Sequence, residues 1–132
     1  MKKISHIDLG KIGEKFVADY LRDKKIRVIG SNWRCSIGEI DLIAIDNDEL
    51  VFVEVKTRIN SNFSRVHILD SINSRKKAKL ANLAQIFLRQ KKILNRKHRI
   101  DVVGVLIAPS SFQPIEFRHI VGAIEQRKYF LS

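Results

Sequence analysis

Two short apolar runs separated by four polar residues constrain the fold of this chain more than any other feature. Residues 40–45 and 50–55 have the apolar, β-branched composition of strands, and the polar residues 46–49 between them are typical of a hairpin turn. Whether the loop has two or four residues, Ile45 pairs with Leu50. The sequence therefore predicts an antiparallel hairpin whose register is fixed by its turn.

That register brings charged residues together at the end of the hairpin far from the turn. Asp41 falls opposite Glu54, and Glu39 falls opposite Lys56. Because side chains alternate between the two faces of a strand, all four share one face. The same face carries apolar residues near the turn: Ile43, Ile45, Leu50 and Phe52. The other face is expected to be entirely apolar: Ile40, Leu42, Ala44, Val51, Val53 and Val55.

Opposed residues in an antiparallel pair have Cβ atoms about 4.5 to 5.5 Å apart, so the carboxylates of Asp41 and Glu54 can hold one cation between them. Two oxygen ligands suit Mg²⁺ or Mn²⁺, which keep several waters. Lys56 would then orient or deprotonate an attacking water. The alternative is a surface hairpin with an exposed Glu39–Lys56 ion pair that contributes little. The fully apolar opposite face favours the metal interpretation, because such a hairpin should lie inside a sheet.

An acidic residue followed about a dozen residues later by Glu-x-Lys on the next strand is similar to the core of the PD-(D/E)xK nuclease superfamily, the fold of restriction endonucleases and archaeal Holliday junction resolvases. The chain more closely resembles the bacterial YraN family of nucleases inferred by similarity, over roughly residues 10 to 107. The resemblance is carried by these motifs: Gly10-x-x-Gly13-Glu14, Asn32-x-Arg34, Gly38-Glu39-Ile40-Asp41-Leu42-Ile43-Ala44, Phe52-Val53-Glu54-Val55-Lys56-Thr57-Arg58 and Arg99-Ile100-Asp101-Val102-Val103.

The resemblance implies an α/β fold with a restriction-endonuclease-like mixed β-sheet flanked by helices, and a single nuclease-like domain over residues 1–132. It implies Asp41 and Glu54 as metal ligands, Lys56 as the catalytic lysine, and Glu14 as a further acidic ligand. Glu14 lies just past the apolar arc of a predicted first helix, where the alternative is an ordinary surface glutamate. The pattern departs from the superfamily at Ile40, which replaces a proline, and over residues 60–67, which replace a segment rich in small residues.

Composition sets independent limits on the kind of protein this is. A chain of 132 residues with 45% hydrophobic residues can form one compact domain with a sizeable core. No apolar run approaches the length of a membrane span, and the basic start is followed by Ile4-Ser5-His6 rather than a signal core, so we expect a cytoplasmic protein. Cys35 is the single cysteine and is expected to be a partly buried strand residue.

The positive charge is concentrated in one part of the chain. Lysine and arginine number 25 against 14 acidic residues, a net charge of +11, and residues 71–100 contain no acidic residue. This basic segment carries Arg75, Lys76, Lys77, Lys79, Arg89, Lys91, Lys92, Arg96, Lys97 and Arg99. Such a block indicates a polyanionic partner, and DNA is the predicted one. The predicted nucleic-acid contacts are Arg58, Arg75, Lys76, Lys77 and Lys79. The alternatives are solubility or an anionic membrane surface.

Hydrophobic spacing and turn residues predict the order of the other elements. Asp8 is a candidate N-cap for the first helix, and Asp70 or Ser71 starts a long basic helix. The apolar stripe of that helix should pack on the apolar face of the hairpin and leave its lysines outside. The predicted ranges are a helix over 8–24, a strand over 26–34, a polar loop over 60–67, the basic helix to about residue 94, strands over 100–108 and 115–117, and a terminal helix.

These patterns predict a metal-dependent endonuclease that hydrolyses DNA phosphodiester bonds, with selectivity for branched or damaged DNA. The first alternative is a non-catalytic nucleic-acid-binding module on a nuclease scaffold, and the second is a module whose basic surface meets an acidic protein. The similarity to junction resolvases suggests a homodimer. The histidines lack zinc-site spacing. Asp101, beside Arg99, is interpreted as a structural ion-pair partner, and the alternative is a further carboxylate of the site.

Overall fold

The computed structural model describes residues 4–59 and 65–125. The elements in chain order are α1 (His6–Asp23), β1 (Arg27–Cys35), β2 (Gly38–Asp46), β3 (Glu49–Ile59), α2 (Arg65–Asp70), α3 (Ser74–Gln90), β4 (His98–Ile107) and β5 (Pro114–Ile120). Within these two ranges, no helix combines the length and the apolarity needed to cross a bilayer.

The five strands form one mixed sheet in the order β1-β2-β3-β4-β5. β3 pairs in parallel with β4, and the other neighbouring pairs are antiparallel. A parallel pair needs a crossover, and residues 60–97, which include α2 and α3, supply it. The structure confirms the predicted α/β fold, a mixed β-sheet flanked by helices, and the predicted hairpin forms two neighbouring strands inside this sheet.

The two long helices begin at caps that differ from the predicted ones. The N-cap of α1 is Ser5, whose hydroxyl accepts a hydrogen bond from the Asp8 backbone N–H at 3.1 Å, so Asp8 itself lies in the first turn. The N-cap of α3 is Asn73 rather than Asp70 or Ser71, and its side chain accepts from the Lys76 N–H at 2.8 Å. The basic helix was predicted to run from Asp70 or Ser71 to about residue 94, whereas α3 begins at Ser74 and ends at Gln90. Helix α2 was not predicted, because residues 60–67 were assigned to a polar loop.

The hairpin register is the predicted one. Ile45 pairs with Leu50 and Asp46 with Glu49, so Asn47 and Asp48 form a two-residue loop. Asn47 adopts a positive φ of 56°, a conformation that asparagine tolerates and that such tight hairpin turns require.

The prediction of which face α3 covers is wrong. Its stripe packs with Ile43, Leu50 and Phe52, the face that also bears Glu54, whereas α1 covers the face of Leu42, Ala44, Val51 and Val53. Both faces are apolar near the turn, so the sequence offers no contrast by which to assign a helix to either. Ile40 departs from the predicted alternation as well, because it belongs to the α3 cluster. The stripe itself is as predicted: Leu80, Leu83, Ala84, Phe87 and Leu88 are all buried.

Helix α1 lies close to β3 at Gly13. A Cβ at this position would overlap the Thr57 hydroxyl, so the missing side chain allows the helix to lie against β3. Glu14, the next residue, is thereby held beside the end of the hairpin that carries the charged residues.

The remaining elements agree with the sequence in kind and differ in length. β5 extends over Pro114–Ile120, beyond the predicted strand at residues 115–117, and the predicted terminal helix falls largely outside the described residues, as does most of the predicted polar loop. Cys35 is half-buried, as predicted, and Trp33 packs edge-to-face against Phe87 with ring centroids 5.5 Å apart.

A buried ionic network joins β4 to its neighbours through Asp101, which is fully buried. Its carboxylate accepts hydrogen bonds from Arg99 Nε at 3.0 Å and from the Gly122 N–H at 2.8 Å, and contacts His119 Nε2 at 2.8 Å. Burial disfavours the charge of Asp101, but the hydrogen bonds from these three partners outweigh burial and lower its pKa. Arg99 also pairs with Glu49 at 3.0 Å. Asp101 is thus an ion-pair partner within the fold, as interpreted from the sequence.

Candidate active site

The β2–β3 ladder ends before the hairpin strands do, and two carboxyl groups meet where it ends. The paired residues run from Asp46–Glu49 to Leu42–Val53. Beyond this last pair, the Val55 N–H donates to Asp41 Oδ2 at 2.8 Å, so the side chain of Asp41 accepts a hydrogen bond in place of a backbone carbonyl. Asp41 interacts there with the carboxyl group of Glu54. The structure therefore brings together two of the three residues predicted as metal ligands, Asp41 and Glu54, hereafter the carboxylate pair.

Both members of the carboxylate pair are withdrawn from solvent, since Asp41 is 8% exposed and Glu54 is 5% exposed. Burial, together with the hydrogen bond and the charge of Glu54, raises the pKa of Asp41 from 3.8 to about 8, against the opposing hydrogen bond from the Val55 N–H. Without a cation between them, the two groups favour a state in which Asp41 retains its proton at neutral pH.

This pKa shift predicts a dependence of stability on pH. Between the unfolded pKa of 3.8 and the folded pKa of about 8, only the unfolded chain releases the Asp41 proton, so stability falls as pH rises through this window. Asp41→Asn removes the titration. We expect its melting temperature in EDTA to be close to that of the wild type at pH 4 and several degrees higher at pH 8.

Thermal unfolding between pH 4 and pH 9 measures this effect. Asp19→Asn is the matched control, because Asp19 is an exposed helix residue paired with Lys15 and Arg22. An Asp41→Asn protein that is no more stable than wild type at pH 8 would show that the carboxylate pair is not strained in the metal-free fold.

Two lysines approach the same oxygen of Glu54. Lys56 Nζ, from β3, lies 3.7 Å from Glu54 Oε2, and Lys76 Nζ, from α3, lies 3.2 Å from it. The side chain of Lys56 is 22% exposed and that of Lys76 is 37% exposed. The lysine predicted as catalytic is therefore at the carboxylate pair. Lys76, predicted to lie on the outer surface, contacts the pair directly, because α3 covers the face that carries Glu54.

Glu14 borders the carboxylate pair without joining it in a tight cluster. Glu14 is half-buried, and its pKa is raised, first by burial and then by the charges of Glu39 and Glu54. A hydrogen bond with Asn32 opposes this shift. Asn32 has a left-handed φ of 52° on edge strand β1. Glu14 therefore lies where the sequence placed it, at the border of the sheet.

The donor set is compatible with a hard divalent ion. Among the described residues, no three histidine, cysteine, aspartate or glutamate side chains gather closely enough to hold a metal by themselves. Mg²⁺ commonly takes one or two carboxylates and keeps its remaining positions for water or phosphate. A pair of buried carboxyl groups with an unfavourable shared charge meets that requirement.

The other predicted nucleic-acid contacts are exposed or half-buried residues. Arg58 and Arg75 are exposed, Lys77 is half-buried, and Lys79 is exposed with its side chain beside Gly38. Glu39 does not form the ion pair considered for it with Lys56, since it lies 3.0 Å from Arg34 Nε. The α1 face adds a groove that the sequence did not predict. It has a volume of about 450 Å³ and is lined by residues that include Lys11, Lys15, Arg22, Glu14 and Asn32.

Comparison with known proteins places the chain among relatives without an assigned activity. A family model described as uncharacterised protein family UPF0102 matches residues 13–105. A UPF0102 protein of Caldanaerobacter subterraneus subsp. tengcongensis is 34% identical over 93% of this chain and 99% of its own length. A UPF0102 protein of Renibacterium salmoninarum is 39% identical over 88% and 95%, and one of Mycobacterium tuberculosis is 35% identical over 92% and 96%.

Among solved structures, SfsA of Pyrococcus furiosus in complex with Ca²⁺ aligns with a TM-score of 0.33 and 18% identity. The alignment covers 90% of this chain and 63% of that chain. The TM-score is too low for this likeness to bear on the function.

Proposed function

We propose that this chain, which belongs to the uncharacterised protein family UPF0102, is a metal-dependent endonuclease that hydrolyses phosphodiester bonds in DNA. The observation that carries the proposal is the carboxylate pair, two buried acidic side chains in contact at the end of a strand ladder with Lys56 beside one of them. Burying two carboxyl groups against each other is unfavourable unless a cation compensates them, so the arrangement suits a metal site better than a structural one.

Each residue of the site has a role that its position supports. Asp41, fixed by the Val55 N–H, and Glu54 would hold Mg²⁺ or Mn²⁺, with Glu14 as a further acidic ligand from α1. A bound ion would neutralise phosphate charge there and would lower the pKa of a water, which makes a nucleophile for phosphorus available near neutral pH. Lys56, at the Glu54 carboxylate, can orient that water and donate to a phosphate oxygen.

The surroundings of the site favour a polyanionic substrate. The strand that carries Glu54 also carries Arg58, and the helix that carries Lys76 also carries Arg75 and Lys77. On the same helix, Lys79 has its side chain beside Gly38 at the start of β2. Contacts of this type bind the phosphate backbone and carry no base specificity. We therefore propose a nuclease selective for DNA structure, such as branched or damaged duplex, rather than for sequence.

A cleavage assay tests this function. We would incubate the purified protein with supercoiled, linear, single-stranded and four-way-junction DNA in Mg²⁺, Mn²⁺ or EDTA. We expect cutting in the presence of either metal and none in EDTA, with the fastest substrate identifying the preferred DNA shape. Binding to every substrate without cutting in any metal would contradict the proposal.

One observation favours a second candidate, a DNA-binding module on a nuclease scaffold. Glu54 already has two ammonium groups within 4 Å, Lys56 and Lys76, and a site permanently neutralised by lysines needs no metal. In that case wild type and Glu54→Gln would bind DNA equally, with binding that weakens steeply as salt rises, and neither would cut it. A shallow salt dependence would instead point to an acidic protein as the partner of the basic segment.

A further inference from the structure

We infer that Lys76 is a built-in counter-cation of the carboxylate pair, which neutralises Glu54 in the metal-free protein and must leave Glu54 when a divalent ion binds. The inference rests on the proposed function in one respect, since it takes the carboxylate pair as the metal site. It adds a residue from a different element and assigns it a competitive role rather than a catalytic one.

The geometry distinguishes Lys76 from the other basic residues of α3. Lys76 Nζ lies 3.2 Å from Glu54 Oε2, closer than Lys56 Nζ at 3.7 Å, and the Glu54 side chain is only 6% exposed. A buried carboxylate that shares its site with a second acid gains from a nearby ammonium. In the absence of metal, the Lys76 ammonium provides that charge.

The same geometry makes Lys76 and a metal ion competitors for the negative charge of Glu54. The Lys76 ammonium takes up one of the about four lone-pair directions of the Glu54 carboxylate, and its positive charge repels a dication at close range. Because the side chain of Lys76 is 37% exposed and comes from the first turn of a helix, it can swing toward solvent without disturbing the core. Lys56, on the strand itself and 22% exposed, has less room to withdraw.

The backbone around Lys76 shows why the contact is maintained in the metal-free fold. The Lys76 N–H donates to the Asn73 side chain at 2.8 Å, which fixes the first turn of α3. Leu80 and Leu83, further along the helix, are buried against the sheet and set its distance from β3. The position of Lys76 is therefore a consequence of packing, whereas the position of its ammonium group is free to respond to the charge at Glu54.

Two measurements on the full-length protein test this inference, both with Mn²⁺ alone as the probe and without DNA. We expect Lys76→Gln to bind Mn²⁺ about three- to tenfold more tightly than wild type by calorimetry, because the competing cation is gone. Lys76→Arg, which retains the positive charge, should bind Mn²⁺ close to the wild-type affinity. Arg89→Gln is the charge-matched control, since it removes one exposed positive charge from the last turn of α3, and its affinity should equal that of wild type.

Thermal unfolding supplies the second measurement, which a general electrostatic effect would not reproduce. In EDTA, Lys76→Gln should melt at a lower temperature than Arg89→Gln, because Glu54 loses a partner. In saturating Mn²⁺ this difference should disappear. The Lys76→Gln protein has no ammonium at this position, and in the Arg89→Gln protein the bound ion has displaced Lys76 from Glu54. Unchanged or weaker Mn²⁺ binding by Lys76→Gln, or no Mn²⁺ binding by any variant, would overturn the inference.

These outcomes separate the inference from the proposed function. Tighter Mn²⁺ binding by Lys76→Gln in a protein that never cuts DNA would support the counter-cation and remove the nuclease. Metal-dependent cutting by a wild type whose Mn²⁺ affinity is unaffected by Lys76→Gln would keep the nuclease and remove the counter-cation.

Discussion

Glu54→Gln is expected to reduce metal-dependent DNA cleavage by a factor of about 10² to 10³ or more, the loss typical when one preorganised electrostatic group is removed from an active site. Glutamine has nearly the same shape as glutamate, so the fold around β3 should persist. The substitution removes the negative charge that would hold a divalent ion with Asp41, and it also removes the partner of Lys56 and Lys76.

The same substitution should leave DNA binding intact or strengthen it, because a negative charge near the phosphate backbone is lost while the lysines remain. Cleavage rates and binding constants should be measured on one preparation at one salt concentration. Glu116→Gln is the matched control, since Glu116 is a residue of β5 whose side chain is 38% exposed and pairs with Arg118. A Glu54→Gln enzyme that cuts at the wild-type rate would exclude the carboxylate pair as the catalytic centre.

Asp101→Asn is expected to cost about 3 to 5 kcal/mol of unfolding free energy, the range seen when one partner of a buried ionic network is neutralised. Asp101 is fully buried, and its neutralisation removes the one buried carboxylate that Arg99 and His119 share, which leaves Arg99 with Glu49 and Asp46 as its acidic partners. For a domain of this size the loss corresponds to a fall in melting temperature of roughly 10 to 20 °C.

Differential scanning calorimetry at neutral pH measures this loss, and Asp19→Asn, the same change at an exposed ion pair, should alter stability by less than about 1 kcal/mol. The lowered pKa of Asp101 adds a pH dependence. The wild type should lose this stabilisation as the pH falls from the unfolded pKa of 3.8 toward the lower pKa of Asp101 in the folded state. The stability of Asp101→Asn should not change with pH for this reason. A mutant within about 1 kcal/mol of wild type would mean that the network is dispensable.

Much of the fold was predictable because short-range patterns determine it. The turn residues fixed the register of the central hairpin, and the register placed Asp41 beside Glu54 without any knowledge of the rest of the sheet. The apolar stripe of α3 and the strand character of β4 follow from periodicity in the same way.

The errors arise where a choice depends on packing between distant elements. Both faces of the hairpin are apolar near the turn, so the assignment of α3 to one of them required the crossover geometry. The face that α3 covers also determines that Lys76 contacts Glu54. The spacing of residues along the helix does not predict this contact. The contact between Glu39 and Arg34 was missed for a similar reason, because it depends on the pairing of β1 with β2.

The parallel pairing of β3 with β4 has a consequence for the order in which the site is assembled. The β2–β3 hairpin closes a two-residue loop, whereas β3 and β4 can pair only after the long connection that contains α2 and α3 has formed. Closing a long loop costs more entropy and is slower than closing a short one. The two acidic side chains should therefore meet early in folding with only Lys56, from the same hairpin, beside Glu54, whereas Lys76 arrives later with α3. During that interval the proposed counter-cation cannot yet compete with a divalent ion from solution.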